Sequence, residues 1–145
     1  MSNTILLVED NEDDVFIMKN ALKRAGIDNP VFVAEDGRKA LDYLEGAGKF
    51  ADREQFPMPS LVLLDLKLPI VMGLDVLKSI RTNPAMPAML VVVLTSSDQH
   101  SDIDRAYRIG ANSYVVKPPT PEKMLSLAKC IGEYWFQWNS LPARA

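Results

Sequence analysis

In the stretch Ser60-Leu61-Val62-Leu63-Leu64-Asp65-Leu66-Lys67-Leu68-Pro69, an apolar run ends on a carboxylate and then turns, with Gly73 eight positions beyond the acid. A short apolar run without polar alternation predicts a strand covered on both faces, the kind found inside parallel sheets. Two further runs have the same character: Ile5-Leu6-Leu7-Val8 ahead of Glu9-Asp10, and Leu90-Val91-Val92-Val93-Leu94 ahead of Thr95. Val31-Phe32-Val33-Ala34 and Ser113-Tyr114-Val115-Val116 are shorter and more mixed, which predicts edge strands, and the second closes on Lys117-Pro118. Helical patterns fill the gaps, so strand and helix alternate five times. That order predicts an α/β fold: a five-stranded parallel sheet with helices on both faces, a flavodoxin-like doubly wound (βα)5 arrangement. All carboxyl ends of its strands then lie along one edge, where open α/β sheets bind ligands. Glu9, Asp10, Asp65, Thr95 and Lys117 are brought to one crevice.

The first helix is expected from Glu12 or Asp13, with Val15, Met18, Leu22 and Ala25 at helical spacing and a stop at Gly26. The second covers Arg38 to Leu44 and is broken by Gly46-Ala47-Gly48. Lys49 to Pro59 follows as a long connection, and two readings stand, a functional or mobile loop and a solvated link. Leu74, Leu77 and Ile80 give the third helix its core face; Ile103, Ala106, Tyr107 and Ile109 mark the fourth, stopped by Gly110. The last helix carries one stripe of Leu125, Ala128, Ile131 and Trp135 and another of Leu127, Tyr134 and Trp138, widened by Phe136. A face this wide is either covered by the sheet or reserved for a partner, a second copy included.

The 145 residues fit one domain and leave no room for an independent output module, so 1–145 is expected to be a single unit with an extended C-terminal helix. A net charge of -3 without any Lys/Arg cluster argues against direct nucleic-acid binding, and the longest apolar run is too short for a membrane span. A single cysteine, Cys130, and a start at Met1-Ser2-Asn3-Thr4 that runs directly into a strand point to a reducing cytoplasm. Cys130 is expected to pack, and His100 to lie on the surface.

Two like charges about 4 Å apart repel by about 4 kcal/mol at an effective dielectric of 20, so Glu9, Asp10 and Asp65 need a cation. The ammonium of Lys117, aimed by its strand, is one. Together these motifs resemble the receiver domain of two-component response regulators: the acidic pair Glu9-Asp10, then Asp65 with Pro69 and Gly73, then Thr95-Ser96, then Lys117-Pro118, in that order. The long loop after the second helix and the ending Ile131-Gly132-Glu133-Tyr134-Trp135-Phe136 further resemble stand-alone receivers that partner phytochrome-type histidine kinases.

The resemblance implies that Asp65 accepts a phosphoryl group from phosphohistidine on a sensor histidine kinase, the chain catalysing its own modification. It implies Mg²⁺, whose preference for oxygen assigns it Asp10 and Asp65 directly, Glu9 through water and the Lys67 backbone carbonyl. Lys117 and Thr95 would bind the phosphoryl oxygens, with Thr95 and Tyr114 switching the surface and the aromatic residues Tyr134, Trp135, Phe136 and Trp138 offering a dimer or partner face. Lys67 and Ser97 occupy positions that influence access of hydrolytic water, and a cis bond before Pro118 is implied. A competing reading is a Mg-dependent phosphohydrolase of the haloacid dehalogenase type with an aspartyl nucleophile. Such enzymes place a second Asp two residues on as general acid, and Lys67 stands there. A flavodoxin-like electron carrier would need a phosphate-cradling loop where Glu9-Asp10-Asn11-Glu12-Asp13-Asp14 repels phosphate.

Overall fold

The computed structural model describes residues 3–86 and 88–142. The reading made from Met1 and Ser2 therefore lies outside the described residues. Five strands, β1 (Ile5–Val8), β2 (Val31–Ala34), β3 (Leu61–Leu64), β4 (Val91–Thr95) and β5 (Ser113–Val116), alternate with α1 (Glu12–Arg24), α2 (Gly37–Glu45), α3 (Gly73–Thr82), α4 (His100–Ile109) and α5 (Pro121–Ile131). All strand pairs are parallel, in the order β2-β1-β3-β4-β5. The unalternating runs β1, β3 and β4 are central and the mixed strands lie at the edges, as their composition predicts. Because the chain leaves β1 for one side of the sheet and returns through β3 on the other, the order reverses between them. The crevice of a doubly wound fold opens there.

Strand residues alternate between two cores. Leu6, Val8, Val62, Leu64, Val91 and Val93 pack under α2, α3 and α4, with Leu41, Leu44, Val76, Leu77, Ile80 and Ala106. Ile5, Leu7, Leu61, Leu63, Val92 and Leu94 pack under α1 and α5, against Met18, Leu22, Met124, Ala128 and Ile131. Each fully buried aliphatic side chain contributes about 1.5–3 kcal/mol relative to exposure, so register is strongly fixed on both faces.

Local signals set the helix ends. The side chains of Asn11, Asp36 and Thr120 accept from the backbone N–H groups of Asp14, Lys39 and Lys123, three residues into α1, α2 and α5, with Pro121 opening α5. The stretch after α2 packs back onto that helix rather than standing free in solvent. A 3-10 turn (Gly48–Ala51) brings Phe50 and Phe56 onto Tyr43, with ring centroids 5.1 and 6.0 Å away. The Arg53 guanidinium donates to the carbonyls of Tyr43 (2.7 Å) and Leu44 (2.8 Å), tying the loop to the end of α2.

Several side chains depart from the sequence expectation. Tyr107 is exposed rather than core, and its phenol oxygen accepts the Tyr114 backbone N–H at 3.1 Å. On α5 the buried stripe is Met124, Ala128 and Ile131 with Leu127 beside it, while Leu125 is only half-buried and belongs to neither core. Cys130, next to Ile131 but on the outer side of the helix, is exposed. Beyond Ile131 the helix widens into a π-helical segment, Gly132–Trp138. That widening turns Trp135 and Phe136 onto the α1/α5 core and leaves Tyr134 (54%) and Trp138 (75%) exposed.

The loop from β3 to α3 is held by close approach of backbone. A Cβ on Gly37 would stand 1.9 Å from the Val71 carbonyl oxygen, and one on Gly73 would stand 2.2 Å from that of Asp65. Only glycine permits both contacts. Between them Ile70 sits at φ 70°, a left-handed conformation that a β-branched residue resists, with its side chain 77% exposed. Strain of this kind costs on the order of 1–3 kcal/mol, against about 0.5–1 kcal/mol of extra chain entropy lost by glycine. Ile70→Gly should therefore stabilise the fold by about 1 kcal/mol, seen as a rise of about 3 °C in the thermal midpoint. A lower midpoint would mean that the Ile70 side chain contributes more than its exposure suggests.

Candidate functional site

Backbone hydrogen bonds run one residue past the strand ends. Asp65 N–H donates to Val8 O (3.0 Å), Glu9 N–H to Ala34 O (3.0 Å) and Lys117 N–H to Thr95 O (2.8 Å). The first residues beyond three strands are thus set as firmly as the strands themselves, and these are Glu9, Asp65 and Lys117.

Their side chains converge. Lys117 Nζ donates to Asp65 Oδ2 at 2.9 Å, to Asp14 Oδ2 at 3.0 Å and to Glu9 Oε1. Thr95 Oγ1 donates to Asp65 Oδ1 at 2.7 Å, and the Lys67 backbone N–H donates to the same oxygen at 3.1 Å. Glu9 Oε2 accepts from Asn11 N–H at 3.2 Å. Glu9, Asp65 and Thr95 are buried, Asp10 and Lys67 exposed, and Lys117 intermediate. One carboxylate oxygen from each of Glu9, Asp10 and Asp65 lies within 4.8 Å of the others.

Burial alone would raise the pKa of Asp65, but hydrogen bonds from Thr95, Lys117 and the Lys67 N–H outweigh it and hold the carboxyl below its ordinary value. For Glu9 burial prevails, helped by the charge of Asp65, and pushes it up to about 7 in spite of the bond from Lys117. Both share one lysine and each has donors on both oxygens, but Asp65 has three donors against two for Glu9. Burial also works against the charge on Lys117, and the bonds to Glu9, Asp65 and Asp14 overcome it and raise its pKa. Three carboxylates bind this one ammonium, and a fourth, that of Asp10, stands within 4.8 Å of two of them. The donor set is all oxygen, short of positive charge and open on the Asp10 side, which fits a hard divalent cation.

Two residues matter more than their sequence context suggests. Ser97 is buried, donating to Asp102 Oδ2 at 2.5 Å. Its carbonyl accepts the Tyr114 hydroxyl at 2.9 Å, which ties that half-buried ring to the loop two residues beyond Thr95. Asp14 reads in the sequence as one acid of a helix's first turn, which the helix dipole already explains. A salt-bridging role was visible only in that it lies four residues after Asp10, one helical turn back over the crevice. Among the described residues no peptide bond is cis, so the bond before Pro118 is trans. The aromatic residues of the C-terminal segment lie away from this cluster, on the α1/α5 side.

The sequence matches the response regulator receiver domain family over residues 5–129. The probable methanogenesis regulatory protein FilR2 of Methanothrix harundinacea is 40% identical over 144 residues, covering 97% of this chain and 88% of that protein. Response regulator Rcp1 of Synechocystis sp. is 34% identical over 139 residues, covering 96% and 92%. The crystal structure of the phosphorylated cyanobacterial phytochrome response regulator RcpA has a TM-score of 0.91 at 33% identity, covering 99% of this chain and 100% of that one. The Mn²⁺-bound form of Rcp1 superimposes with a TM-score of 0.87 at 34% identity, covering 97% and 99%.

Receiver domains receive phosphoryl groups from histidine kinases on an aspartate and bind a divalent metal, and the acidic cluster here suits both. The phosphohydrolase reading is not favoured, since the general acid it needs is replaced by an exposed Lys67. No helix among the described residues is long and apolar enough to cross a membrane. With its sheet order, its acidic crevice and a sequence match spanning nearly all of its length, the chain belongs to the response regulator receiver domain family.

Proposed function

We propose that Asp65 is the phosphoacceptor and that this chain is a cytoplasmic receiver switch like the stand-alone response regulators it resembles, charged by a sensor histidine kinase of the phytochrome type. One observation carries the reading: Asp65 is a buried, ionised carboxylate with Lys117 on one oxygen and Thr95 on the other. Oδ1 is committed to two donors, so Oδ2 is the oxygen that attacks. It forms a bond to phosphorus as the P–N bond of phosphohistidine breaks, and that electron pair returns to the imidazole nitrogen. The ester oxygen is a poor acceptor, so the Lys117 N–H that it held passes to a phosphoryl oxygen. Asp10 and Asp65 are the direct ligands assigned to Mg²⁺, with Glu9 through water and the Lys67 carbonyl completing the set. When bound, the ion offsets the carboxylates and the charge on the phosphoryl oxygens.

Thr95 follows the new oxygens with its hydroxyl. The Ser97 carbonyl, two residues on, moves with it and loosens its grip on the Tyr114 phenol, so the faces of α4 and β5 rearrange. How far the population shifts depends on which state a partner prefers. That RcpA is a phytochrome response regulator supports the kinase type.

A homodimer through the C-terminal segment belongs to the same proposal. Tyr134 and Trp138 are the exposed pair available to it, whereas Trp135 and Phe136 already serve the core. Trp138→Ala should weaken self-association at least tenfold, as loss of a central aromatic does at interfaces; light scattering that finds wild type monomeric at every concentration would remove the dimer. Phosphotransfer tests the whole reading. Label on a phosphorylated phytochrome-type kinase should move to this chain in the presence of Mg²⁺. A chain that takes label from no kinase, and none from a small acyl phosphate, would refute it.

A further inference from the structure

Lys117 is an ammonium with three N–H donors, and all three are committed: one to Asp65, one to Glu9 and one to Asp14. Glu9 and Asp65 belong to the crevice as the strand ends build it. Asp14 comes from elsewhere, on the first turn of α1, 103 residues before Lys117. We infer that Asp14 is a positioning residue for the phosphorylation reaction: with Glu9 it fixes the rotation of the Lys117 ammonium so that the remaining N–H points at the reacting oxygen of Asp65.

Most partly exposed ion pairs contribute little, because two long side chains must be ordered to make them. This one differs at both ends. Lys117 is 15% exposed and already anchored twice, so the third contact orders nothing further there. Asp14 is short, and its own backbone N–H is held by Asn11 Oδ1 at 3.0 Å, which fixes the turn that presents it. Its side chain keeps 41% exposure, so it orients the lysine from the solvent side without adding a buried charge. Without Asp14 the ammonium would hold its place through two bonds and rotate between them, and its third N–H would turn to water. Attack at phosphorus is sensitive to such misplacement, because the reaction rests on positioning more than on covalent chemistry by the enzyme.

The inference rests on Asp65 as acceptor, and the two can fail separately. Asp14→Ala should slow Mg²⁺-dependent labelling by acetyl phosphate about three- to tenfold. It should also abolish or broaden the proton–nitrogen NMR signal of the Lys117 ammonium, which three hydrogen bonds protect from exchange in wild type. Asp14→Asn, which keeps an acceptor oxygen in place, should fall between, and it carries the same test if the alanine variant does not fold. Asp13→Ala, which removes the neighbouring acid of the same helix turn, should label at the wild-type rate. A wild-type labelling rate or an unaltered Lys117 signal in the Asp14 variants overturns the inference. Failure of wild type itself to label would strike the acceptor reading, and the NMR arm would still decide whether Asp14 holds the lysine.

Discussion

Asp65→Asn is expected to abolish phosphorylation by any donor, kinase or acyl phosphate, while the fold survives. The amide is nearly the same shape, its Oδ1 still accepts from Thr95 and the Lys67 N–H, and β3 on either side is unchanged. What disappears is the negative oxygen facing Lys117, and an amide nitrogen there cannot attack phosphorus. The variant also removes one of the carboxylates crowded around a single ammonium. Its stability in metal-free buffer near neutral pH should fall modestly below that of wild type, because the ionised Asp65 held by Lys117 and Thr95 contributes stability there. Intact-protein mass spectrometry after incubation with donor and Mg²⁺ checks the first part and thermal melting the second. Label on the variant at the wild-type level would move the acceptor elsewhere.

Lys117→Met is expected to cost both function and stability. The methionine fills the space of the lysine stem but leaves Glu9 and Asp65 buried without their cation, and breaking a buried pair from one side costs about 3–5 kcal/mol. The contribution of Asp65 to the pH dependence then reverses sign, while that of Glu9 keeps its own. In wild type the depressed pKa of Asp65 contributes stability that is present above its unfolded value and is lost as pH falls through the folded one. Glu9 opposes it: its folded pKa of about 7 lies above the unfolded value, so its contribution is present in acid and is lost as pH rises toward 7. In the variant burial governs both carboxyls, both folded values are raised, and stability should be greatest in acid and fall steadily as pH rises. Melting curves across that range give the result directly. A variant as stable as wild type at neutral pH would show that solvent, not Lys117, balances these acids.

Much of this is legible in the sequence. The unalternating strands Ile5–Val8, Leu61–Leu64 and Val91–Thr95 could only be central, and a parallel sheet then had to gather Glu9, Asp65, Thr95 and Lys117 at one edge. What the sequence hid depended on tertiary contacts between distant segments. Asp14 reads as a helix-start acid until Lys117 arrives beside it. Phe50, Arg53 and Phe56 read as loop residues until they close over Tyr43. Helical periodicity also assumes a constant pitch, and the π-helical widening after Ile131 breaks it, so the stripe continued through Trp135 in the sequence gave no warning that Phe136 would turn inward with it. Gly73 stands out in the sequence by its spacing alone; its reason is the backbone carbonyl of Asp65, 2.2 Å from where a Cβ would be.

An aspartyl phosphate is an acyl phosphate, and borohydride reduces it to homoserine at the modified position. Peptide sequencing of the wild-type chain after labelling in Mg²⁺ and reduction should therefore find homoserine in place of Asp65, with Glu9, Asp10 and Asp14 intact. Homoserine at any other acid, or none in a chain that carries a phosphoryl group, would contradict the assignment of Asp65.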